Sequence, residues 1–272
     1  MFRVYAALYP APIGAILMPE GKQAAVPRDG VPKGWGMHND ETGGLSQNQI
    51  KLIAAAAMAI DHVGTELLPQ YALLRIIGRL AFPVFAYCIA EGSRYTRHPA
   101  KYLARLAVMG LACMAVYYFY AGAVYGNVLI TFSLSLGVLY AFRFARSRWT
   151  QGARGRVTGA AVLLGSLCAV AALCEVVTVD YGFWGVVLPL WAEAAAYLLE
   201  GRIPPGRARL AGFAAGLVVL SWRIGGIQWY SLLTLPLLAA YNGMRGKHQL
   251  GRFFYWFYPM HLLVIGLIAM LL

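Results

Sequence analysis

Charged residues are scarce in this sequence, and acidic residues are scarcer than basic ones. Only 12% of the 272 residues are charged, with 11 acidic side chains against 23 basic ones, while 60% are hydrophobic. A soluble domain carries roughly 25% charged residues. The shortage of charge excludes a soluble globular protein and predicts an all-α, polytopic bundle of transmembrane helices in a lipid bilayer.

Cysteines are also few, and their spacing carries no signature of a metal site or of a disulfide framework. The four are Cys88, Cys113, Cys168 and Cys174, which lie inside apolar runs and form no CxxC pair or His-Cys cluster. Zinc sites need ligands at short, fixed spacings. We therefore predict no metal centre, and we expect the four thiols to pack as small hydrophobic side chains.

The excess of basic residues, a formal net charge of +12, falls in short clusters between apolar runs. It does not follow an aromatic-laced groove, so we expect no nucleic-acid partner. Loops rich in Arg or Lys at 94–105, 143–156, 202–209 and 245–252 alternate with loops that carry neither. The positive-inside rule then predicts that the basic loops and the amino end are cytoplasmic, and that the carboxyl end is outside.

The first 49 residues differ from the rest, because five prolines interrupt them between positions 10 and 32. We interpret residues 1–49 as an irregular amino-terminal tail. It either lies on the membrane surface or is an extension that the membrane domain does not need. Residues 50–272 form the predicted transmembrane domain. About nine spans are predicted there, at 50–68, 71–92, 102–122, 127–145, 157–178, 181–199, 208–224, 227–241 and 253–272.

The first predicted span carries Asp61, His62 and Glu66 into the bilayer. With a turn of about 100° per residue, Lys51, His62 and Glu66 fall on one face of the helix. A charge at the centre of a bilayer costs about 2.5–3.5 kcal/mol on insertion scales, so these residues are candidates for a functional site. The alternative is that they bond neighbouring helices and hold the bundle together.

Three arginines, Arg75, Arg79 and Arg223, break the alternation of basic loops. Arg75 and Arg79 lie one helical turn apart in the second predicted span. Pro83 follows them and predicts a kink. An arginine in the bilayer needs an acidic partner, unless it snorkels to the outer interface. The acidic residues that the sequence offers are Asp61, Glu66, Glu175 and Asp180.

The last predicted span carries a second histidine, His261, nine residues after Arg252. The helical rise places it roughly 13 Å into the membrane, and His62 lies roughly 16 Å beyond Lys51 from the same side. The two imidazoles are therefore predicted at a similar depth, and they can converge if the first and last helices close a ring. The alternative is that His261 is a hydrogen-bonded core residue.

Several short segments after residue 46 form a recognisable set. They are AspHisValGly at 61–64, LeuArgIleIleGlyArgLeuAlaPheProValPheAlaTyr at 74–87 with GluGly at 91–92, LysTyrLeuAlaArgLeu at 101–106, AsnValLeuIleThr at 127–131, AspTyrGlyPheTrpGly at 180–185, TyrAsnGly at 241–243 and PheTyrProMetHis at 257–261. On these segments, residues 46–272 resemble the TraX family of F-pilin acetylation proteins. More remotely they resemble the acyltransferase-three and heparan-glucosaminide acetyltransferase groups.

The resemblance implies transfer of an acetyl group from cytoplasmic acetyl-CoA to an acceptor amine or hydroxyl, in the cytoplasmic (inner) membrane of a bacterium. The acceptor that it implies is the amino terminus of a pilin, while a pilin-like peptide, a lipid amine and a glycan all stay open. The wider acyltransferases place an Arg, ten residues and a catalytic His on the first span. Lys51 and His62 occupy that pattern here, although Lys lacks the planar fork of Arg.

In this interpretation His62 acts as the general base or carries the acetyl group as an intermediate. Asp61 or Glu66 would tune it, and Arg79 or His261 would steady the oxyanion.

Basic residues at the cytoplasmic mouth are expected to hold the phosphates of acetyl-CoA, because guanidinium groups suit phosphate geometry. They are Lys51, Arg94, Arg97, Lys101 and Arg105. The alternative is that they only set the topology.

Rival functions use the same residues differently. A proton-coupled transporter would use Asp61, Glu66, Arg79 and Glu175 as a relay, and a haem protein would use the two histidines as axial ligands. A non-catalytic assembly factor for pili or membranes would need neither a proton relay nor axial ligands.

Overall fold

The computed structural model describes residues 43–246 and 250–272 of the protein. Within these residues the fold is all-helical and contains no β-strand. The expected irregular tail falls almost entirely on residues 1–42, which lie outside the described residues, as does Lys247. The chain is already helical from Gln47, three residues before the predicted start of the membrane domain.

The helices follow one another with short connections. Their bounds are α1 Gln47–Glu66, α2 Ala72–Gly78, α3 Ala81–Tyr95, α4 Pro99–Ala121, α5 Val128–Arg148, α6 Gly152–Val176, α7 Gly182–Leu198, α8 Pro205–Ile224, a 3-10 helix Gly226–Leu233, α9 Thr234–Ala239 and α10 Gly251–Leu271.

Among the described residues, five helical segments are long and apolar enough to cross a membrane. They are Ala72–Tyr95, Pro99–Tyr120, Val128–Arg148, Gly152–Val176 and Phe253–Leu271, and each corresponds to one of the predicted spans. The protein is therefore a multi-pass membrane protein. The count of nine spans and the cytoplasmic amino end stay predictions.

The predicted span 227–241 is not a single α-helix. It consists of the 3-10 helix followed by the six residues of α9. Gly225 and Gly226 both have positive φ and set a sharp turn before it. Pro236 lies in the first turn of α9, where its missing N–H breaks no helical bond. Because a 3-10 helix rises about 2.0 Å per residue, this segment still covers roughly 25 Å.

The predicted span 71–92 is interrupted, but four residues before the proline that was expected to kink it. Helix α2 ends at Gly78 and α3 begins at Ala81, so Pro83 lies in the first turn of α3. Proline is tolerated there. The break places Arg79 at the carboxyl end of α2.

The buried core lies where α3, α5, α7 and α8 pack together. Its largest fully buried side chains include Leu136, Leu188, Phe213 and Leu217. Helices α4, α6 and α10 bury only a small part of their apolar windows. Their outward faces carry exposed large apolar side chains, such as Phe119, which is 85% exposed. Such faces suit contact with lipid acyl chains.

The two ends of the bundle differ in charge. The basic end is the one with the connections 96–98, 149–151 and 199–204 and with residues 242–246, and the opposite end holds 67–71, 122–127 and 177–181. Helix α1 begins at the basic end with a capping box. The hydroxyl of Ser46 accepts from the Gln49 amide at 3.4 Å, and the Gln49 side chain accepts from the Ser46 amide at 2.8 Å.

Candidate functional site

Helices α1 and α10 are parallel neighbours, and this arrangement brings two histidines together. Lys51 Nζ lies 5.8 Å from the centre of the Phe254 ring near the start of both helices. Further along, His62 Nδ1 lies 3.1 Å from His261 Nε2, with ring centroids 4.9 Å apart. The depths that were predicted for the two histidines therefore match a direct contact.

The hydrogen bonds of the two rings assign their protons. His261 Nδ1 lies 2.8 Å from the Phe257 carbonyl oxygen, which can only accept, so Nδ1 carries the hydrogen and Nε2 of a neutral ring accepts. His62 Nδ1 lies 2.9 Å from the Met58 carbonyl oxygen and also faces His261 Nε2, so it must donate. The lone pair of neutral His62 is therefore on Nε2.

Asp61 pairs with arginines and not with His62. Arg79 Nη2 lies 2.9 Å from both Oδ1 and Oδ2 of Asp61, and Arg75 Nη1 lies 2.9 Å from Oδ2. The Arg75 guanidinium also donates to the Thr65 hydroxyl. Both carboxylate oxygens face guanidinium groups, so any effect of Asp61 on His62 is not through a direct bond. Arg75 has an acidic partner, which favours pairing over the alternative of snorkelling.

Glycine allows α1 and α2 to approach closely enough for these bonds. A Cβ on Gly78 would lie 2.1 Å from Asp61 Oδ1, and a Cβ on Gly64 would lie 2.6 Å from Leu74 Cβ. Neither position leaves space for a methyl group. The glycines at 64 and 78 thus set the distance between Asp61 and the arginines of the next helix.

Glu66 does not join this group. It is exposed at the carboxyl end of α1 and forms no ion pair with the residues that the structure describes. We name the remaining group the histidine cluster: Asp61, His62, Arg75, Arg79 and His261.

A connection at the opposite end lies close to the histidine cluster. The Tyr125 hydroxyl donates to Asp180 Oδ1, and the Thr131 hydroxyl donates to the Asp180 carbonyl at 2.8 Å. Burial raises the pKa of Asp180, although the bond from Tyr125 and the nearby charge of Arg79 act against that rise. Asp180 was one of the acids considered as a partner for the arginines, and it lies within their electrostatic reach.

Three of the basic residues that were predicted to bind phosphate are exposed at the basic end. They are Arg97, Lys101 and Arg105. The guanidinium of Arg105 donates to the Lys101 carbonyl at 3.3 Å, so the two side chains follow one face of α4. Lys51 is half-buried beside Phe254.

Arg94 differs from these, because it faces a carboxylate inside the bundle. Its Nε lies 3.7 Å from Glu193 Oε1, and Arg209 Nε lies 3.2 Å from the same oxygen. Nearby, the Tyr241 hydroxyl donates to Glu91 Oε2. We name this group the core ion cluster: Glu91, Arg94, Glu193, Arg209 and Tyr241.

The core ion cluster did not emerge from the sequence as a group, although a signal was present. Glu91 and Glu193 each lie inside an apolar run, and an ionisable residue there needs a partner. Both side chains are less than 10% exposed. Which arginine meets which acid depends on how α3, α7 and α8 pack, and the sequence does not give that packing.

Comparison with known proteins agrees with the resemblance that was drawn from short segments. The TraX protein family matches residues 46–269 of the chain. A probable fimbrial assembly protein FimC, serogroup H1, of Dichelobacter nodosus is 27% identical over 251 residues, which cover 81% of this chain and 94% of that protein. Protein TraX of Escherichia coli K12 is 27% identical over 236 residues, which cover 81% of this chain and 86% of that protein. No solved structure matches the chain.

The match to the family model extends over nearly the whole described region, and it includes α1, α2 and α10, which carry the histidine cluster. The protein belongs to the TraX family.

Proposed function

We propose that the protein is a membrane-embedded acyltransferase that moves an acetyl group from acetyl-CoA to an acceptor amine or hydroxyl. The observation that carries this proposal is the His62–His261 pair, whose hydrogen bonds leave the His62 Nε2 lone pair for a substrate. A base that is held in one orientation inside a membrane protein suits proton abstraction from a nucleophile.

The reaction balances with these groups alone. The acceptor N–H or O–H loses its proton to His62 Nε2 while its nitrogen or oxygen attacks the thioester carbon. The tetrahedral intermediate collapses, the C–S bond breaks and the new C–N or C–O bond remains. The proton on His62 then passes to the departing thiolate of coenzyme A.

His261 supports this step as an orienting partner. When His62 is protonated, its Nδ1–H still points to the lone pair of His261 Nε2 at 3.1 Å. The pair then resembles a histidine with an orienting acceptor, as in hydrolase triads, although the acceptor here is neutral. His261 therefore serves the base in this proposal, in place of the oxyanion role that was expected from the sequence.

Arg79 is the side chain best suited to stabilise the oxyanion. It is held by Asp61 through Nη2, and its guanidinium stays protonated when buried. A fixed positive charge that needs no reorganisation during the reaction stabilises developing negative charge. The exposed Arg97, Lys101 and Arg105 would bind the phosphates of acetyl-CoA from the cytoplasm, with Lys51 deeper on the path.

The acceptor in this proposal is a pilin-like amino terminus, with a lipid amine or a glycan as alternatives. The D. nodosus relative is named for fimbrial assembly, which favours a pilus subunit. The protein would act in the cytoplasmic membrane of a bacterium, with acetyl-CoA as co-substrate and no metal.

Of the rival functions, a non-catalytic assembly factor also fits the name of the D. nodosus relative, a probable fimbrial assembly protein. The transporter relay has less support, because Glu66 and Glu175 are both exposed and neither pairs with Arg79 in the described part of the chain. A haem between the histidines has less support too, since direct nitrogen contact at 3.1 Å leaves no space for an iron.

The test is to incubate membrane vesicles that contain the protein with acetyl-labelled acetyl-CoA, and to identify the labelled product by mass. We expect a single labelled class of acceptor, which is absent from vesicles with His62→Ala protein. Equal labelling in both preparations would contradict the acyltransferase and leave the assembly factor.

A further inference from the structure

A buried glutamine contacts the histidine cluster from the 3-10 helix. Gln228 is 1% exposed, and its Oε1 lies 3.5 Å from Arg79 Nη1. Arg79 therefore spans from Asp61, which faces Nη2, to Gln228, which faces Nη1. Gln228 belongs to no chemical motif in the sequence. It is the one side-chain amide in the mostly apolar and aromatic segment GIQWYSLL.

The chemistry of the contact fixes which way the carboxamide points. A guanidinium has only donors, so the atom that faces Arg79 must be the amide oxygen. The NH2 group is attached to the same carbon and, as a donor, cannot bond the guanidinium. Gln228 Nε2 is buried and has no hydrogen-bond partner among the residues that the structure describes.

The backbone of the 3-10 helix is anchored around this residue. The Ser221 hydroxyl of α8 donates to the Gln228 carbonyl at 3.2 Å, and it lies 3.2 Å from the Ser231 hydroxyl. Both serines are fully buried. The carboxamide is thus presented from a fixed backbone, and it cannot turn to solvent to satisfy its N–H groups.

A buried donor without a partner destabilises the fold. Such groups are rare in native proteins and call for an explanation, which can be a catalytic role or a bound water. Here the donor belongs to the amide that contacts the arginine which the proposed function places at the oxyanion. A substrate oxygen bound there would satisfy Gln228 Nε2.

We propose that Gln228 is a further residue of the acyl-transfer site, whose NH2 group donates a hydrogen bond to the carbonyl oxygen of the acyl group. This inference rests on the proposed function. Its amide oxygen holds Arg79, while its nitrogen joins Arg79 in stabilising the oxyanion. The two donors then come from separate elements, α2 and the 3-10 helix, so that the acyl oxygen is bound between them.

Two substitutions separate the donor from the acceptor of this amide. Gln228→Met keeps the length of the side chain and removes both functions, and Gln228→Glu keeps an oxygen for Arg79 but removes the donor. In vesicles with labelled acetyl-CoA, we expect each to lower the apparent kcat by about 10²-fold, the typical cost of one oxyanion donor. We expect the KM for acetyl-CoA to change little, because the contact strengthens in the transition state.

Thr234→Val is the matched control. Thr234 is fully buried, its Oγ1 also lacks a hydrogen-bond partner in the described region, and it directly follows the 3-10 helix as the first residue of α9. Valine has the same shape without the hydroxyl, so we expect native turnover. Elution of detergent-extracted protein as one symmetric peak reports whether each variant folds.

The outcomes separate cleanly. Slow turnover in both Gln228 variants with native turnover in Thr234→Val supports the inference. Native turnover in Gln228→Met would mean that the amide binds only a water. Native turnover in Gln228→Glu would mean that only the amide oxygen matters. Either result would overturn the inference. An equal loss in Thr234→Val would indicate packing and overturn it too. If the native protein transfers no label, the proposed function falls, and this inference falls with it.

Discussion

The histidine cluster and the core ion cluster are both polar groups inside an apolar bundle, yet they are built differently. In the histidine cluster the side chains of Asp61 and Arg79 keep 15% and 13% of their surface exposed, and Arg75 keeps 31%. In the core ion cluster Arg209 and Glu193 keep only 7% and 9%, while Arg94 keeps 17%. The Arg209–Glu193 pair is therefore drier than the Arg79–Asp61 pair, and Arg94 lies at the more exposed edge of its cluster.

The clusters also differ in whether their hydrogen-bonding groups all have partners. The acids of the core ion cluster face arginine or tyrosine side chains from other helices, which ties α3, α7 and α8 together. In the histidine cluster, His62 retains a lone pair that faces no group in the described chain. A buried charge is therefore a poor sign of catalysis by itself. An oriented side chain with a lone pair that accepts no hydrogen bond is a better one.

The largest expected effect is on activity, at the histidine cluster. His62→Ala should lower acetyl transfer by about 10²–10⁴-fold, since that is the contribution of a general base. Folding and membrane insertion should be retained, because the ring bonds only one backbone oxygen and His261. Label transfer in vesicles measures it, with the exposed His98→Ala as control. Unchanged turnover in His62→Ala would leave both clusters with a purely structural role.

The next effect is on stability, at the core ion cluster. Glu193→Ala should destabilise the protein by about 3–5 kcal/mol, because it leaves two arginines without their buried counter-charge. Unfolding by denaturant in detergent micelles measures the change. Glu200→Ala is the control: Glu200 pairs with Arg146 at 2.9 Å but is 61% exposed, so its loss should cost less than about 1 kcal/mol. Equal losses in the two variants would remove the contrast between a dry cluster and the surface.

Arg79→Lys tests whether geometry or charge matters in the histidine cluster. Lysine keeps the charge but cannot face both Asp61 oxygens and Gln228 at once. We expect a native fold and a loss of turnover of about 10- to 100-fold, which corresponds to one lost charged hydrogen bond. Arg223→Lys, at the other arginine that lies outside the basic loops, should be close to native in the same assay. Full activity in Arg79→Lys would show that Arg79 only supplies charge at the interface.

Gly78→Ala tests the close approach of α1 and α2. The added methyl group would meet Asp61 and force the helices apart, with an expected cost of about 1–3 kcal/mol. Activity should fall along with stability, because the bonds from Arg79 to Asp61 lengthen. Gly137→Ala is the control, since nothing lies within 4 Å of its added carbon. There a small gain in stability, up to about 1 kcal/mol, is expected from helix propensity.

The smallest effect is expected at the exposed basic residues. Lys101→Ala or Arg105→Ala should raise the KM for acetyl-CoA by about 2- to 5-fold without changing kcat, as fits an exposed ion pair of up to about 1 kcal/mol. Arg94→Ala should instead lower stability, because Arg94 belongs to the core ion cluster. Titration of acetyl-CoA in the transfer assay measures all three. A KM effect in Arg94→Ala alone would move that arginine to the substrate path.

Much of the histidine cluster could be predicted from the sequence, because depth along a helix follows from residue count alone. The rise per residue placed His62 and His261 at one depth, and the structure brings them into contact. An acid was also expected beside Arg79, since a buried guanidinium requires one. Which acid it is depends on Gly78, whose missing side chain lets Asp61 approach. Packing at that scale is not visible in residue types.

The sequence-based prediction failed where residues of the same type have different surroundings. Arg94 and Arg97 lie in the same basic loop cluster, yet one faces Glu193 inside the bundle and the other is exposed. Helix α3 ends at Tyr95, so Arg94 lies in its last turn and faces the bundle, whereas Arg97 lies in the connection that follows. The 3-10 helix with Gln228 escaped notice for a related reason. An apolar run of about fifteen residues does not distinguish α from 3-10 geometry.

The contact between His62 and His261 joins positions 199 residues apart in the chain. During synthesis, α1 leaves the ribosome long before α10 does. His62 therefore lacks its orienting partner until the intervening helices have been made, and the His62–His261 contact forms only when α10 packs beside α1. A nascent chain that stalls before residue 261 would contain His62 but not the histidine that orients it. Acetyl transfer would then report, in a cell, that the final helix has found its place.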